Sequence, residues 1–182
     1  MALVSAWGGA HAPEAVFAVL VERAAAILLS VREAALTSPE VKLADNVGWL
    51  DFTHALTFAD AGARAVEWRP DLWPALLLQL ACFIGRNGAY ADPAFDPAQA
   101  RVPDIGRFLD AETSRLFDHG RDRFIISVHL IKTLMAGRAL IERLPRAAPT
   151  IAAALNRMLH APMKGRHVLR TARQMRALVE EE

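Results

Sequence analysis

Apolar residues recur along the chain at helical rather than alternating spacing, and proline and glycine cut the pattern into segments. Pro13, followed by Glu14, opens an Ala/Leu/Val pattern that runs to about Leu36, with the proline where a first helical turn tolerates it. "TSPEVKLADN" interrupts it. A second pattern, over 44–68, stops before "RPD", and Pro74 falls in the first turn of a third, very apolar segment that reaches Gly85. Periodicity then lapses over 85–104, "GRNGAYADPAFDPAQARVPD", a long loop of the kind that often has a function. Further helices are predicted over 104–117, 121–144, 150–159 and 165–181, separated by "DHG" and "HAPMKG".

No alternating strand pattern is evident, and alanine, leucine and arginine, all strong helix formers, dominate. The expected fold is all-α, an irregular bundle of six or seven helices in one domain over 1–182. At 182 residues the chain is long enough for one sizeable core. It also starts almost at once on a buried-looking helix, which suggests a half-length relative or fragment of a longer helical protein.

Composition sharpens this picture. Hydrophobic residues make up 53% and charged residues 23% of the chain, with a mean hydropathy of +0.19. The apolar excess points to a large core, a partner surface or a cavity for an apolar ligand, and a homo-oligomer is expected. A formal net charge of +1 argues against a general electrostatic grip on nucleic acid. The N-terminus lacks a basic-then-apolar signal pattern, and the apolar run 72–84 is shorter than the roughly 20 residues a spanning helix needs. The expectation is a cytoplasmic protein without a membrane span. Cys82, the single cysteine, reads as a small buried hydrophobe.

Two histidines stand out against this background. On the second helix, Val47, Leu50, His54, Phe58, Ala61 and Ala65 form one stripe, with Asp45 and Ala63 opposite and Asp51 and Thr57 flanking His54. On the helix from Arg121, the residues Asp122, Ile125, His129, Thr133, Ala136 and Leu140 share a face, with Ser127 and Arg138 opposite. Lys132 neighbours His129 on that helix surface. Each histidine is therefore expected to point inward, where the two faces can meet. The plain reading is a pair of core histidines satisfied by a carbonyl or carboxylate.

The functional readings are three. His54 and His129 can serve as acid–base groups in an apolar pocket, with Asp51 or Asp122 fixing a tautomer. They can ligate a metal, but a bundle di-metal site needs Glu-x-x-His pairs and further glutamates, and here there is one Asp51-x-x-His54 and only Glu112 in mid-chain. No metal is expected. They can be haem ligands, with nothing else in the chain in support. Trp49, Trp68 and Trp73 read as core or cavity wall, His11, His160 and His167 as solvated, and Asp118-His119-Gly120 as a helix break. The basic run Lys164 to Arg176 reads as a solvated face with some capacity for docking a partner. No glycine-rich nucleotide cradle is present, so the residues themselves name no cofactor.

Two phrases carry a resemblance. "DFTHALTFADAGARA", with His54, Thr57 and Ala61 in step, resembles a motif of the questin oxidase-like proteins. "HLIKTLMAGRAL", with His129, Lys132 and the Arg138-Ala139 pair, is similar to their later His-x-x-Lys segment. The match concerns the C-terminal half of those longer proteins, whose earlier histidine-bearing helices have no counterpart here. What the resemblance implies is an all-α oxygenase that opens a quinone ring by Baeyer–Villiger chemistry with NADPH, and it marks His54, His129 and Lys132 as candidates. Three functions are thus expected to compete. The first is an oxidoreductase, or a subunit of one, acting on an apolar aromatic or quinone-like substrate, with catalytic candidates His54, His129, Lys132 and Asp51. The others are a non-catalytic helical module that docks on a redox protein or on itself, and a small-ligand or haem binder.

Overall fold

The computed structural model describes residues 12–38, 42, 45–118, 124–161 and 168–180. Eight helices lie within them: α1 Pro13–Ser30, α2 Glu33–Thr37, α3 Trp49–Trp68, α4 Trp73–Asn87, α5 Ile105–Phe117, α6 Phe124–Arg143, α7 Ala148–His160 and α8 Val168–Glu180. The all-α irregular bundle is as expected. The helix count is not, and the reason lies at residues 30–32. The first apolar pattern was expected to run unbroken to Leu36, but α1 ends at Ser30. Val31 pairs with Ala91 as an isolated bridge, Arg32 N–H donates to Tyr90 O (2.9 Å) and Asp92 N–H to Ser30 O (2.7 Å). The loop after α4 is thus stitched into the chain here, and backbone groups that a continuous helix would use internally are spent on it. The short α2 is the remainder.

The α1 helix is the centre of the bundle. Phe17, Val21, Ala24, Ala25, Ile27, Leu28 and Leu29 are buried on it, more than one face's worth, because α3, α4 and α7 all pack against it. Around it, α3 also packs on α4 and α6, and α6 on α7 and α5. Gly137 lets α6 and α7 approach closely: a Cβ there would come within 2.6 Å of Leu155, a fully buried side chain. By length and composition α6 could cross a bilayer, with a mean hydropathy of 1.6 that the sequence reading passed over. In the bundle it buries Leu130, Leu134 and Leu140, while Phe124, Ile125 and Val128 at its start are exposed, so that 39% of its apolar window is buried.

Several expectations about burial are corrected. Cys82 is exposed, because α4 buries Leu76, Leu77, Leu80 and Asn87, half-buries Trp73, Phe83 and Ile84, and turns Leu78, Ala81 and Cys82 outward. Trp68, at the end of α3, is 86% exposed rather than core. Trp73 is half-buried and meets the Phe17 ring edge-on at 5.8 Å. The start of α3 falls at Trp49 rather than 44, since Gly48 is its N-cap and Asp51 accepts the Gly48 N–H (2.8 Å). His11, His119, His167 and Asp122, and the expected helix ends at Arg121, Gly165 and Glu181, lie outside the described residues.

Candidate functional site

The two helix faces were assigned from a stripe that alanine blurs. On α3 the buried positions are Phe52, Thr53, Ala55, Leu56, Ala59, Ala63 and Val66. Ala63, expected outside, is in the core, and Leu50, Ala61 and Ala65, expected inside, are exposed. His54 is therefore not at the centre of the core face but on the flank that α6 covers, half-buried. On α6 the expected stripe holds at Thr133, Ala136 and Leu140, whereas Ile125 is 68% exposed and Ser127 is buried. His129 is half-buried.

What these flanks produce is the meeting of the two histidines. The His54 and His129 rings face each other across the α3–α6 contact, with centroids 5.9 Å apart and planes tilted by 57°. Beside them, at the N-terminal ends of α3 and α6, lies an apolar pocket of about 150 Å³. Trp49, Leu50, Thr53, Ile125, Leu130 and Met158 contribute walls, and His129 is the titratable group among its lining residues. The two threonine hydroxyls in the wall are turned back onto the helix, Thr53 to Leu50 O (3.4 Å) and Thr133 to His129 O (2.8 Å). The lining thus keeps an apolar character despite them.

His129 Nδ1 is buried and has no hydrogen-bond partner among the described residues. Burial holds the ring's pKa below its ordinary value, and the positive charge of Lys132, one turn on, and then of His54 pushes the same way. Its resting form near neutral pH is the uncharged imidazole, with one nitrogen able to accept a proton. Lys132 itself is exposed.

Asp51 does not join this pair. One carboxylate oxygen caps Gly48 and the other lies 3.1 Å from Arg86 Nη1, while Asn87 Nδ2 donates to the Asp51 carbonyl (2.9 Å). It is a cap and an α3–α4 clamp, and the expectation that it fixes a histidine tautomer is set aside. Thr57 bonds the His54 carbonyl (3.3 Å).

Sequence reasoning missed a second, larger cleft of about 320 Å³ between α2, the 88–104 loop and α7. Arg157 stacks over the Phe95 ring at 4.3 Å and donates to the Leu29 and Val31 carbonyls, so it pins the α1–α2 break from below. His160 is exposed, as expected, and its ring lies with Nδ1 2.9 Å from Asn156 O and Nε2 3.3 Å from Glu112 Oε1. Glu112 is buried and also receives Arg115 (Nε to Oε2, 2.9 Å). The loop's length and aromatic Phe95 were the only signals of this cleft.

No protein-family model, curated protein or solved structure matches the chain. Among the described residues no group of three or more His, Cys, Asp or Glu side chains comes together. A space of about 150 Å³ is the size that takes a benzene ring, and it does not hold a haem macrocycle or a nicotinamide dinucleotide. The 320 Å³ cleft is at the small end of what a drug-sized ligand fills. Neither cleft among the described residues is large enough to enclose NADPH.

Proposed function

We propose that this chain holds a single-ring aromatic molecule bearing a hydroxyl, a phenol or quinol, in the apolar pocket beside His129, and serves as an oxidoreductase or the substrate-binding subunit of one. The observation that supports this is the pairing of pocket and ring: a benzene-sized apolar space with an uncharged imidazole at its wall whose Nδ1 has no hydrogen-bond partner among the described residues. A ring of that size gives up its apolar surface to the pocket, at roughly 25 cal/mol per Å². Its hydroxyl both donates and accepts, so it satisfies His129 in either tautomer once the imidazole turns about Cβ–Cγ to present Nδ1. Drawing the hydroxyl proton onto His129 leaves a phenolate, which the neighbouring Lys132 charge stabilises, and His54 5.9 Å away offers a second imidazole to relay the proton. The likeness of the two histidine motifs to those of questin oxidase-like proteins supports the oxidoreductase class, and the size of the pocket favours a single-ring substrate. Any redox partner then reaches the substrate from outside this pocket.

The test is a titration of phenol against toluene, which has the same shape without the donor, followed by calorimetry on wild-type protein and His129→Leu. The expected result is phenol bound more tightly than toluene by wild type, with the preference lost in the variant. Equal binding of both by wild type, or of neither, contradicts the reading.

A second reading has one specific observation behind it. Leu50 on α3 and Ile125 on α6 line the pocket and are exposed, and Phe124 and Val128 beside Ile125 on α6 are exposed too, an apolar face suited to a docking partner. A concentration-dependent dimer dissolved by Ile125→Lys, with no phenol binding at any pH, would favour that non-catalytic module.

A further inference from the structure

On α8 the buried residues that the structure describes are polar. Its exposed residues include Met175, Leu178 and Val179, while Arg170 and Gln174, one turn apart on a single face, are buried. Gln174 Oε1 accepts from Asn46 Nδ2 (3.2 Å), which ties that face to the segment leading into α3. Arg170 is 3% exposed, yet its Nε and Nη2 are buried without a hydrogen-bond partner among the described residues.

These two nitrogens are one edge of the guanidinium, the side-on fork that receives two oxygens at once. Elsewhere the molecule spends this same fork on carboxylates. Arg69 gives Nε and Nη2 to the two oxygens of Asp71 (2.9 and 2.8 Å), and Arg64 gives them to Asp60 (3.2 Å each). A guanidinium cannot shed its charge, and a buried charge without a counter-charge is strongly unfavourable. Its position makes this worse. Arg170 is the third residue of α8, where first-turn N–H groups carry partial positive charge, and the run Lys164 to Arg176 holds five Lys and Arg and no Asp or Glu.

We propose that Arg170 is the base of a binding site for a small two-oxygen anion, a phosphate or a carboxylate group. The group seats side-on against Nε and Nη2, and the near-complete burial of Arg170 limits it to a small ion or the end of a small molecule. Arg170 is not among the residues that line the His129 pocket.

The experiment follows thermal unfolding and the Arg170 Nε–H signal by NMR in chloride, inorganic phosphate or acetate at matched ionic strength. Phosphate, acetate or both are expected to raise the wild-type midpoint saturably, by several degrees at about a hundredfold excess over the dissociation constant, and to shift the Nε–H signal. A response to phosphate alone assigns a tetrahedral oxyanion, and a response to both assigns any carboxylate-like fork. Arg170→Met is expected to lose the response, and Arg170→Lys, which keeps the charge without the fork, to lose most of it. No response beyond chloride, a response with an unmoved Nε–H signal, or an undiminished response in Arg170→Lys overturns the proposal.

Discussion

His129 on α6 and Arg170 on α8 both bury nitrogen atoms that meet no hydrogen-bond partner among the described residues, yet they resolve the same problem in opposite ways. The imidazole can give up its proton, and burial beside Lys132 makes it do so. The guanidinium cannot, so the only relief open to it is a counter-ion. The helices that hold them differ in parallel. α6 is fixed by packing, with Leu130, Leu134 and Leu140 in the core, whereas the buried residues described on α8, Arg170 and Gln174, are polar. Burial of a nitrogen therefore has no single functional meaning. A group that can neutralise itself points to a neutral, hydrogen-bonding ligand, and one that cannot points to an anion.

The largest effect that should separate the two regions is in packing. Leu134→Ala is expected to cost about 2–5 kcal/mol in urea unfolding, as a fully buried leucine does, while Val179→Ala on α8 stays within about 0.5 kcal/mol. Comparable losses at both would mean that α8 is held by its apolar residues after all. Next in size, Arg170→Met measured in chloride, without phosphate or carboxylate, is expected to raise stability by about 1–3 kcal/mol, because it removes an unpaired buried charge. A loss of stability would mean that the guanidinium already has its counter-charge.

The pH dependence follows from the lowered pKa of His129. The unfolded chain takes up the proton first as pH falls below about 6.5, so stability is fully present above that value and is lost downward through the lower folded-state pKa. The loss reaches at most about 1.4 kcal/mol per pH unit, and it should vanish from the difference curve of His129→Gln. An unchanged curve in that variant would place the titration elsewhere. The smallest effect is at Lys132. Lys132→Gln should move the His129 midpoint up by a few tenths of a pH unit, since one of the two repelling charges is gone and the exposed ammonium is screened.

Much of the helical layout could be read from Pro13, Pro74 and the glycine-rich breaks, because those residues act locally on the backbone. The α1–α2 break could not. It is made by Ala91, Tyr90 and Asp92 from a distant loop, and "LLSVREAA" is locally a good helix. The meeting of His54 and His129 was anticipated, but from a stripe that ran along the wrong face of α3. Ala59 and Ala63 are buried while Ala61 and Ala65 are exposed, and an alanine-rich helix covered from several sides gives its faces too little contrast to read. Asp51 looked like a partner for His54 by spacing alone, but a carboxylate at the third position of a helix is also a cap for its start. Arg170 was hidden for a simpler reason: an arginine in a basic run reads as surface, and nothing in "KGRHVLRTARQMR" marks which arginine is buried.

The most direct test of the pocket reading is a long-range ¹H–¹⁵N spectrum of the His129 ring at neutral pH, recorded alone, with toluene and with phenol. A neutral ring whose unprotonated nitrogen shifts on adding phenol, and not on adding toluene, is the result expected. A ring already doubly protonated at neutral pH, or one whose nitrogens are indifferent to phenol, would contradict it.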